Sequence, residues 1–294
     1  MGGLFSLYSK SSFLKWLYKE SIFSTLLRFI INIPYFIKWK SLMVWEYLCA
    51  LPRGLGYNDR RFSALKNFKD KYKGKRLFIT CTGPSLTIED LEKLSGEYVF
   101  GMNTICMIHD KTSWQPDFFG IQDEHVFDKI KDYVLNTDNG IVFVPEYLNK
   151  LFKLPSDFVL FPVSSAYNTF ELTRTHKYFA KFSNNAYRTV FSGFSITYSI
   201  MQLAVYMGFD ELYLIGADCS YLGQKQHFIE HGNYDPTVAH AAERLIAAYG
   251  AAKIFADKNN IRIYNATRGG CLEVFPRVVL EDVLSNNQKN KKSK

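Results

Sequence analysis

The chain has 294 residues, of which 47% are apolar and 22% are charged, and this composition excludes a disordered chain, a collagen and a small disulfide-stabilised scaffold. The formal net charge of +8 comes from the two ends, because residues 1–50 carry six basic and two acidic side chains and the last ten residues carry four lysines. Residues 51–284 balance 26 basic against 26 acidic residues, so we expect no nucleic-acid partner.

The five cysteines are scattered and form no CxxC pair or zinc-ligand spacing. They stand at Cys49, Cys81, Cys106, Cys219 and Cys271. We therefore predict no metal site. The odd number of cysteines and the lack of a secretory signal favour a reducing, cytoplasmic location.

Residues 1–70 are predicted to form a basic, aromatic-rich, amphipathic helical segment. Their uncharged runs are shorter than the ~20 residues that span a bilayer, and Pro34 is expected to kink or end a helix. Such a segment suits peripheral contact with the inner face of an anionic membrane. Packing against the globular domain or a second subunit is an equally good interpretation, and a homo-oligomer is left open.

Residues 71–284 alternate short apolar runs with helical stretches, which predicts an α/β domain with a mostly parallel sheet and helices on both faces. Helices are clearest at Phe194 to Met207 and Thr237 to Asp257. The lysine-rich residues 285–294 are predicted to be a disordered tail. We predict strands over Arg76 to Cys81, Tyr98 to Met102, Asp117 to Ile121, Gly140 to Val144, Phe158 to Phe161, Glu211 to Ile215 and Ile261 to Tyr264.

Polar residues follow the first three predicted strands, where open parallel sheets bind ligands. The first strand runs into Gly83-Pro84-Ser85, and a glycine turn before a helix start favours an anion. Asn103 follows the second strand, and Gln122 with Asp123 follows the third. Each of these side chains could also serve only as a turn or helix cap. The chain has neither a three-glycine dinucleotide motif nor a Walker lysine.

A second group of candidates surrounds the most apolar helix. Ser192-Gly193 precedes that helix, and the next strand leads to Asp218, with Tyr221 close behind. His227 and His231 follow in a polar stretch, and histidine is the usual general base for activating a hydroxyl. We favour His227 as the base and His231 second.

The segments TGPSL, FGMN, PDFFGIQD, FSGFSITYSIMQLAVYMGFDELYLIGAD and IYNATRGGCLEVFPRV, in this order, resemble the 6-hydroxymethylpterin diphosphokinase-like proteins. That domain, which is Rossmann-like, occurs in bacterial surface-polysaccharide loci and in flagellin glycosylation factors that are thought to transfer nonulosonic acids. The order is also distantly similar to that of small bacterial sialyltransferases with one Rossmann-like domain.

The resemblance to sialyltransferases implies residue roles. It implies that Gly83, Pro84, Ser85, Asn103, Ser192 and Gly193 hold a cytidine monophosphate (CMP) sugar, and Gln122, Asp123 and Asp218 complete the predicted nucleotide site. Tyr221 would hold the leaving phosphate and His227 would be the base, while His240 is an alternative positional equivalent.

The leading prediction is a metal-independent glycosyltransferase that moves a sialic-acid-like or related acidic sugar from a CMP donor to a cell-surface glycan. No cofactor is then needed besides the donor, and a lipid-linked acceptor is left open. One alternative is a diphosphokinase of a pterin-like alcohol that uses ATP and Mg²⁺, with Asp123 and Asp218 as the metal-binding pair. The other is a non-catalytic Rossmann-like scaffold in envelope glycan assembly.

Overall fold

A computed structural model describes residues 23–220, 228–229 and 240–285 of the chain. Helices α1 to α8 span Phe23–Gly54, Ser63–Lys66, Ile88–Lys93, Glu124–Asn136, Glu146–Phe152, Ala166–Thr175, Ile196–Met207 and Ala241–Lys258, and a last helical stretch covers 280–285. Strands β1 to β9 span Arg76–Thr80, Tyr98–Met102, Phe118–Gly120, Ile141–Pro145, Val159–Phe161, Val163–Ser164, Val190–Phe191, Glu211–Ile215 and Arg262–Asn265. Short 3₁₀ helices span Arg60–Phe62 and Asn103–Ile108.

Seven strands form one sheet in the order β5-β4-β3-β2-β1-β8-β9, and every neighbouring pair is parallel. The predicted α/β class with a mostly parallel sheet is confirmed, and each predicted strand is present within two residues of its expected bounds. The short strands β6 and β7 form a separate parallel pair that the sequence did not predict.

Helices cover both faces of the sheet because the strand side chains alternate between two apolar clusters. Leu77 and Ile79 of β1 join the cluster that contains α7 and α8, whereas Phe78 joins the cluster that contains α4 and α5. Gly208 ends α7 in a left-handed conformation, which glycine adopts without strain. Both layers are thus buried, as an all-parallel sheet requires.

The order in which strands are added to the sheet reverses at β1. From β1 the chain builds β2 to β5 on one side and then returns to place β8 on the other side of β1. A crevice opens outside the carboxyl ends of the strands at such a point, and this is the usual ligand site of open parallel sheets.

The described part of the N-terminal segment is one long helix. Helix α1 continues through Pro34, so the helix does not end there as we expected it could. Pro34 is exposed, and water can solvate the carbonyl group that the missing amide leaves unpaired. Residues 1–22 and 286–294, which hold the rest of the predicted segment and nearly all of the predicted tail, lie outside the described residues. No helix in the described ranges is both long enough and apolar enough to cross a membrane.

Helix α1 packs against α6, and one carboxylate ties them together. Glu46 of α1 accepts hydrogen bonds from the Ser164 hydroxyl at 2.5 Å and from the backbone amides of Ser165 and Ala166. Ser165, the N-cap residue of α6, makes no side-chain hydrogen bond to the helix amides. Glu46 therefore caps a helix that lies 120 residues away in sequence. Burial outweighs these bonds and raises the pKa of Glu46.

We predict that Glu46→Ala lowers the free energy of unfolding by about 1–2 kcal/mol, the usual cost of losing a helix cap. Glu46→Gln should keep the cap, because its amide oxygen still accepts these bonds. Since the raised pKa means that the folded state binds the proton more tightly, wild-type stability should fall as pH rises from about 4.5 through the folded-state pKa. Urea unfolding at pH 5 and pH 7.5 should show Glu46→Gln gaining on wild type at the higher pH. A difference between the two that does not change with pH would contradict this.

Candidate functional site

A cavity of about 350 Å³ lies at the carboxyl ends of β1, β2, β3 and β8, where the strand order reverses. The starts of α7 and α8 close its other side. Of the predicted nucleotide-binding residues, the described wall includes Gly83, Pro84, Asn103, Gln122, Asp123 and Asp218. The sequence therefore brought six of its nine candidates to one cavity.

The turn after β1 is bonded mainly to the protein itself. The amide of Gly83 donates to the Gly216 carbonyl at 2.9 Å, and the Ser85 hydroxyl donates to Asp218 Oδ2 at 2.8 Å. A Cβ atom on Gly83 would lie 2.0 Å from Asp218 Oδ2 and 2.4 Å from the Gly216 oxygen. The glycine is thus required by close packing between β1 and the end of β8. Ser85 supports this wall through Asp218.

Helix α3, which follows this turn, caps itself. Thr87 accepts from the amide of Asp90 at 3.2 Å, and Asp90 accepts from the amide of Thr87 at 3.0 Å, which confirms a capping box. Arg268 then pairs with the buried Asp90. These bonds use the amides of Thr87 and Asp90 and pair the buried Asp90 carboxylate, so the start of α3 is stabilised by groups of the protein itself.

Asn103 lines the cavity and has a buried side-chain acceptor, Oδ1, without a partner among the described residues. Its backbone has a φ of 48°, a left-handed conformation that costs energy outside glycine but is tolerated best by asparagine. A buried acceptor without a partner costs about 1–3 kcal/mol, so the site is suited to a ligand that brings a donor.

Gln122 and Asp123, after β3, have different surroundings. The Gln122 side-chain oxygen accepts from the Ser199 hydroxyl of α7 at 2.6 Å, and its backbone oxygen accepts from the Tyr147 hydroxyl. Asp123 caps α4 by accepting from the amides of His125 and Val126 at 2.8 and 2.9 Å. One Asp123 oxygen therefore serves as a helix cap, as one of the two interpretations held. Gln122 links the end of β3 to α7 and α5 through Ser199 and Tyr147.

In the turn before α7, the residues that line the cavity are further along the chain than we predicted. Phe194, Ser195, Ile196 and Thr197 line the cavity, whereas Ser192 and Gly193 are not among its described wall residues. The Ser192 amide instead donates to the Ser164 oxygen at 2.9 Å, which extends the β6–β7 pair. A Cβ atom on Gly193 would lie 1.9 Å from the Tyr198 ring. Both residues shape the turn that aims the start of α7 at the cavity.

Arg244 is the residue that the sequence analysis missed. It lies in the first turns of α8, is half-buried, and is the one arginine or lysine in the described wall of the cavity. The signal was available, because Arg244 stands between Ala241 and Leu245 on the buried face of α8. Placing a cation among apolar side chains costs free energy unless an interaction with another group or a ligand compensates it.

Two cysteines in the wall are poor nucleophiles. Burial raises the pKa of the Cys81 thiol to about 12 and that of Cys219 to about 12 as well. Cys81 also contacts the Thr197 hydroxyl at 3.6 Å. Both thiols therefore stay protonated near neutral pH and act as small packing groups.

The predicted catalytic residues Tyr221, His227 and His231 lie outside the described residues. Phe228, which is described, donates its amide to the Thr82 oxygen at 2.7 Å, so this part of the chain is bonded to the rim of the cavity. His240 is described, is exposed, and contacts Glu243 at 3.4 Å.

The described residues fit a magnesium ion poorly. Asp123 and Asp218 both line the cavity, but an oxygen of each is already used, by two helix amides and by Ser85 respectively. Nowhere in the described ranges do three or more His, Cys, Asp or Glu side chains form a group that could hold a metal ion.

Two solved structures have a similar arrangement of the chain. The MAf glycosyltransferase from Magnetospirillum magneticum AMB-1 is 15% identical with a TM-score of 0.46, and the match covers 79% of this chain and 41% of that one. The chain thus spans about two fifths of the length of that protein. The sialyltransferase CstII from Campylobacter jejuni is 14% identical with a TM-score of 0.44, over 69% of this chain and 86% of that one.

No curated protein matches the sequence. The sequence model of the 6-hydroxymethylpterin diphosphokinase MptE-like family, however, matches residues 54–224. That stretch is more than half of the chain and includes β1 to β8, together with every cavity wall segment before α8. The predicted resemblance is therefore confirmed, and the chain belongs to the MptE-like family.

Proposed function

We propose that this protein is a glycosyltransferase that moves a sialic-acid-like or related acidic sugar from a CMP donor to a cell-surface glycan. The observation that carries the proposal is the unpaired, buried Oδ1 acceptor of Asn103 in the cavity wall that also holds Arg244. The Asn103 oxygen can accept a hydrogen bond from a ligand, and the Arg244 guanidinium can bind an anionic group of the same ligand. A nucleoside monophosphate has both a donor and an anionic group.

Asn103 is suited to the nucleoside. Its oxygen can accept from the amino group of cytosine or from a ribose hydroxyl, because each of these is a donor. Ser199 holds the side-chain oxygen of Gln122 and Tyr147 holds its backbone oxygen, so this second amide is already oriented and loses little freedom when a ligand binds. Gly83 and Pro84 would form the adjoining wall against which the nucleoside packs.

Arg244 and the start of α7 are suited to the phosphate. Guanidinium groups bind phosphate oxygens in a forked arrangement, and the amides and dipole at a helix start favour an anion. When the sugar leaves CMP, negative charge develops on this phosphate, so these groups would stabilise the transition state. Tyr221 is proposed to add a hydroxyl donor at the same phosphate.

The attacking hydroxyl of the acceptor must lose its proton, and we propose His227 as the base, with His231 second. The bond between the Phe228 amide and the Thr82 oxygen supports this choice, since Phe228 follows His227 directly in sequence. His240 is a weaker candidate because its side chain is exposed and lies beside Glu243.

The family name keeps a second candidate open, a diphosphokinase that uses ATP and Mg²⁺. It would depend on Asp123 and Asp218, whose oxygens are partly committed as described above. Nucleotide binding separates the two. The transferase should be stabilised by CMP in the presence of EDTA, whereas the kinase should require ATP with Mg²⁺. A protein that binds neither would support the scaffold.

We propose that α1 makes peripheral contact with a membrane, where surface glycans are assembled. Large apolar side chains remain exposed along it, including Ile37 at 57%, Trp45 at 64% and Leu48 at 52%. Basic residues on the same helix favour an anionic surface.

We predict that Trp45→Glu with Leu48→Glu reduces flotation of the protein with anionic vesicles by about tenfold. Two apolar anchors are lost and two repelling charges are gained. Leu151→Glu, at a side chain 57% exposed on α5, is the matched control and should float like wild type. Equal flotation of all three proteins would rule out this face of α1 as the contact.

A further inference from the structure

A second, larger cleft lies between α1, α6 and residues 181–191. It has a volume of about 890 Å³, within the range of small-molecule sites. Among the described residues it shares no wall residue with the cavity at the strand ends. The two nevertheless flank one turn, because Phe191 lines the cleft and Phe194 lines the cavity.

Among the described residues four cations line the cleft, and Arg174 is paired with Glu171. The other three are Lys40 of α1 and Lys181 and Arg188 of the segment 181–191. Lys40 lies 4.8 Å from the centre of the Phe170 ring, Lys181 lies 5.2 Å from that of Tyr167, and Arg188 lies 5.4 Å from that of Tyr47. None of the three makes an ion pair with a carboxylate of the described residues. Among the described residues these cations face aromatic rings and no carboxylate.

The acids of the cleft wall are already used. Glu171 pairs with Arg174 at 2.6 Å, and Glu46 accepts from Ser164 and from two amides of α6. The Arg188 side chain packs directly against Gly54, where an added Cβ atom would lie 3.0 Å from its Cδ atom. The cleft consequently has a surplus of positive charge that no described group neutralises.

The rest of the wall is apolar and long. Phe36, Met43 and Ala50 of α1 line it together with Phe170 and Phe191. The wall residues of α1 run from position 36 to position 54, which is about 27 Å along a helix. A row of this length can accompany a hydrocarbon chain.

We propose that this cleft is a second binding site, which takes a single alkyl or prenyl phosphate. The phosphate would lie between Lys40 and Lys181, because the rings that these lysines contact, Phe170 and Tyr167, are one turn apart on α6. A phosphate monoester has nearly two charges and three acceptor oxygens to offer to two cations. The chain would lie along the aromatic and aliphatic wall. The site stands independently of the CMP cavity. If the transferase proposal holds, the cleft gives a lipid-linked acceptor a place to dock.

Titration calorimetry of the full chain with decyl phosphate, below its micelle concentration, tests the site. Decyl maltoside has the same chain without the charge, and inorganic phosphate has the charge without the chain. We expect decyl phosphate to bind at least about tenfold more tightly than either. The double variant Lys40→Gln with Lys181→Gln should weaken its binding by about tenfold.

Lys38→Gln is the matched control, because Lys38 lies on α1 outside the cleft wall, and its affinity should stay within about twofold of wild type. The proposal is overturned if decyl maltoside binds as well as decyl phosphate, if Lys38→Gln weakens binding as much as the double variant, or if only anionic vesicles bind. Circular dichroism and CMP binding, measured on the same variants, report separately on folding and on the transferase proposal.

Discussion

Replacing His227 with glutamine is expected to slow sugar transfer by a factor of about 10² to 10⁴ while leaving CMP affinity unchanged. A positioned general base contributes a rate factor of this size, and glutamine keeps hydrogen bonding but cannot take the proton. The measurement is the release of CMP from a CMP-activated acidic sugar in the presence of a panel of glycan acceptors. The dissociation constant for CMP, measured on the same preparation, shows whether the nucleotide site is intact.

Two further histidines serve as controls for this prediction. His125, whose side chain is 73% exposed, should tolerate the same change without loss of rate. His231→Gln separates the first candidate from the second. If His227→Gln retains full activity and His231→Gln loses it, the base is His231. If neither variant is slower, the proposed base catalysis is wrong.

Replacing Gly83 with alanine should lower the free energy of unfolding by about 3 kcal/mol, the upper end of the usual cost of overpacking. The added methyl group would meet the Asp218 carboxylate at 2.0 Å and the Gly216 carbonyl at 2.4 Å, and one of these is backbone that cannot rotate away. The bond between Ser85 and Asp218 should be disturbed as well. Thermal or urea unfolding measures the loss.

Gly250→Ala is the matched control for Gly83→Ala. Gly250 lies inside α8, a Cβ atom there would meet nothing within 4 Å, and alanine favours a helix by up to about 1 kcal/mol over glycine. Gly250→Ala should therefore unfold at the same or a higher temperature than wild type. A Gly83→Ala protein as stable as wild type would show that β1 and β8 do not pack as closely as described.

The sheet could be predicted from the sequence because its signals are local. Runs such as those of β1 and β8 are apolar and bounded by polar turns, and the residues that follow them were placed correctly at one edge. The order of the strands and the short β6–β7 pair were not predictable in this way, since Val163 and Val190 meet only through the tertiary fold.

The parts of the site that the sequence did not predict depend on contacts between distant residues. Arg244 reaches the cavity because α8 packs against β9 and α7, and Glu46 caps α6 across 120 residues of sequence. The resemblance implied that Gly193 holds the CMP sugar, and the structure adds that the ring of Tyr198 occupies the space that a side chain at this position would need. A glycine before a helix does not reveal which neighbour demands it.

The most direct test of the central claim is thermal unfolding of the protein with CMP and EDTA, alongside ATP with Mg²⁺, in wild type and in Arg244→Gln. At a hundred times its dissociation constant CMP should stabilise wild type by about 2.7 kcal/mol without any metal. At the same concentration Arg244→Gln should show a clearly smaller shift, because a charge-assisted bond to the phosphate is lost. Stabilisation by ATP only, and only with Mg²⁺, would contradict a metal-independent CMP site in this cavity.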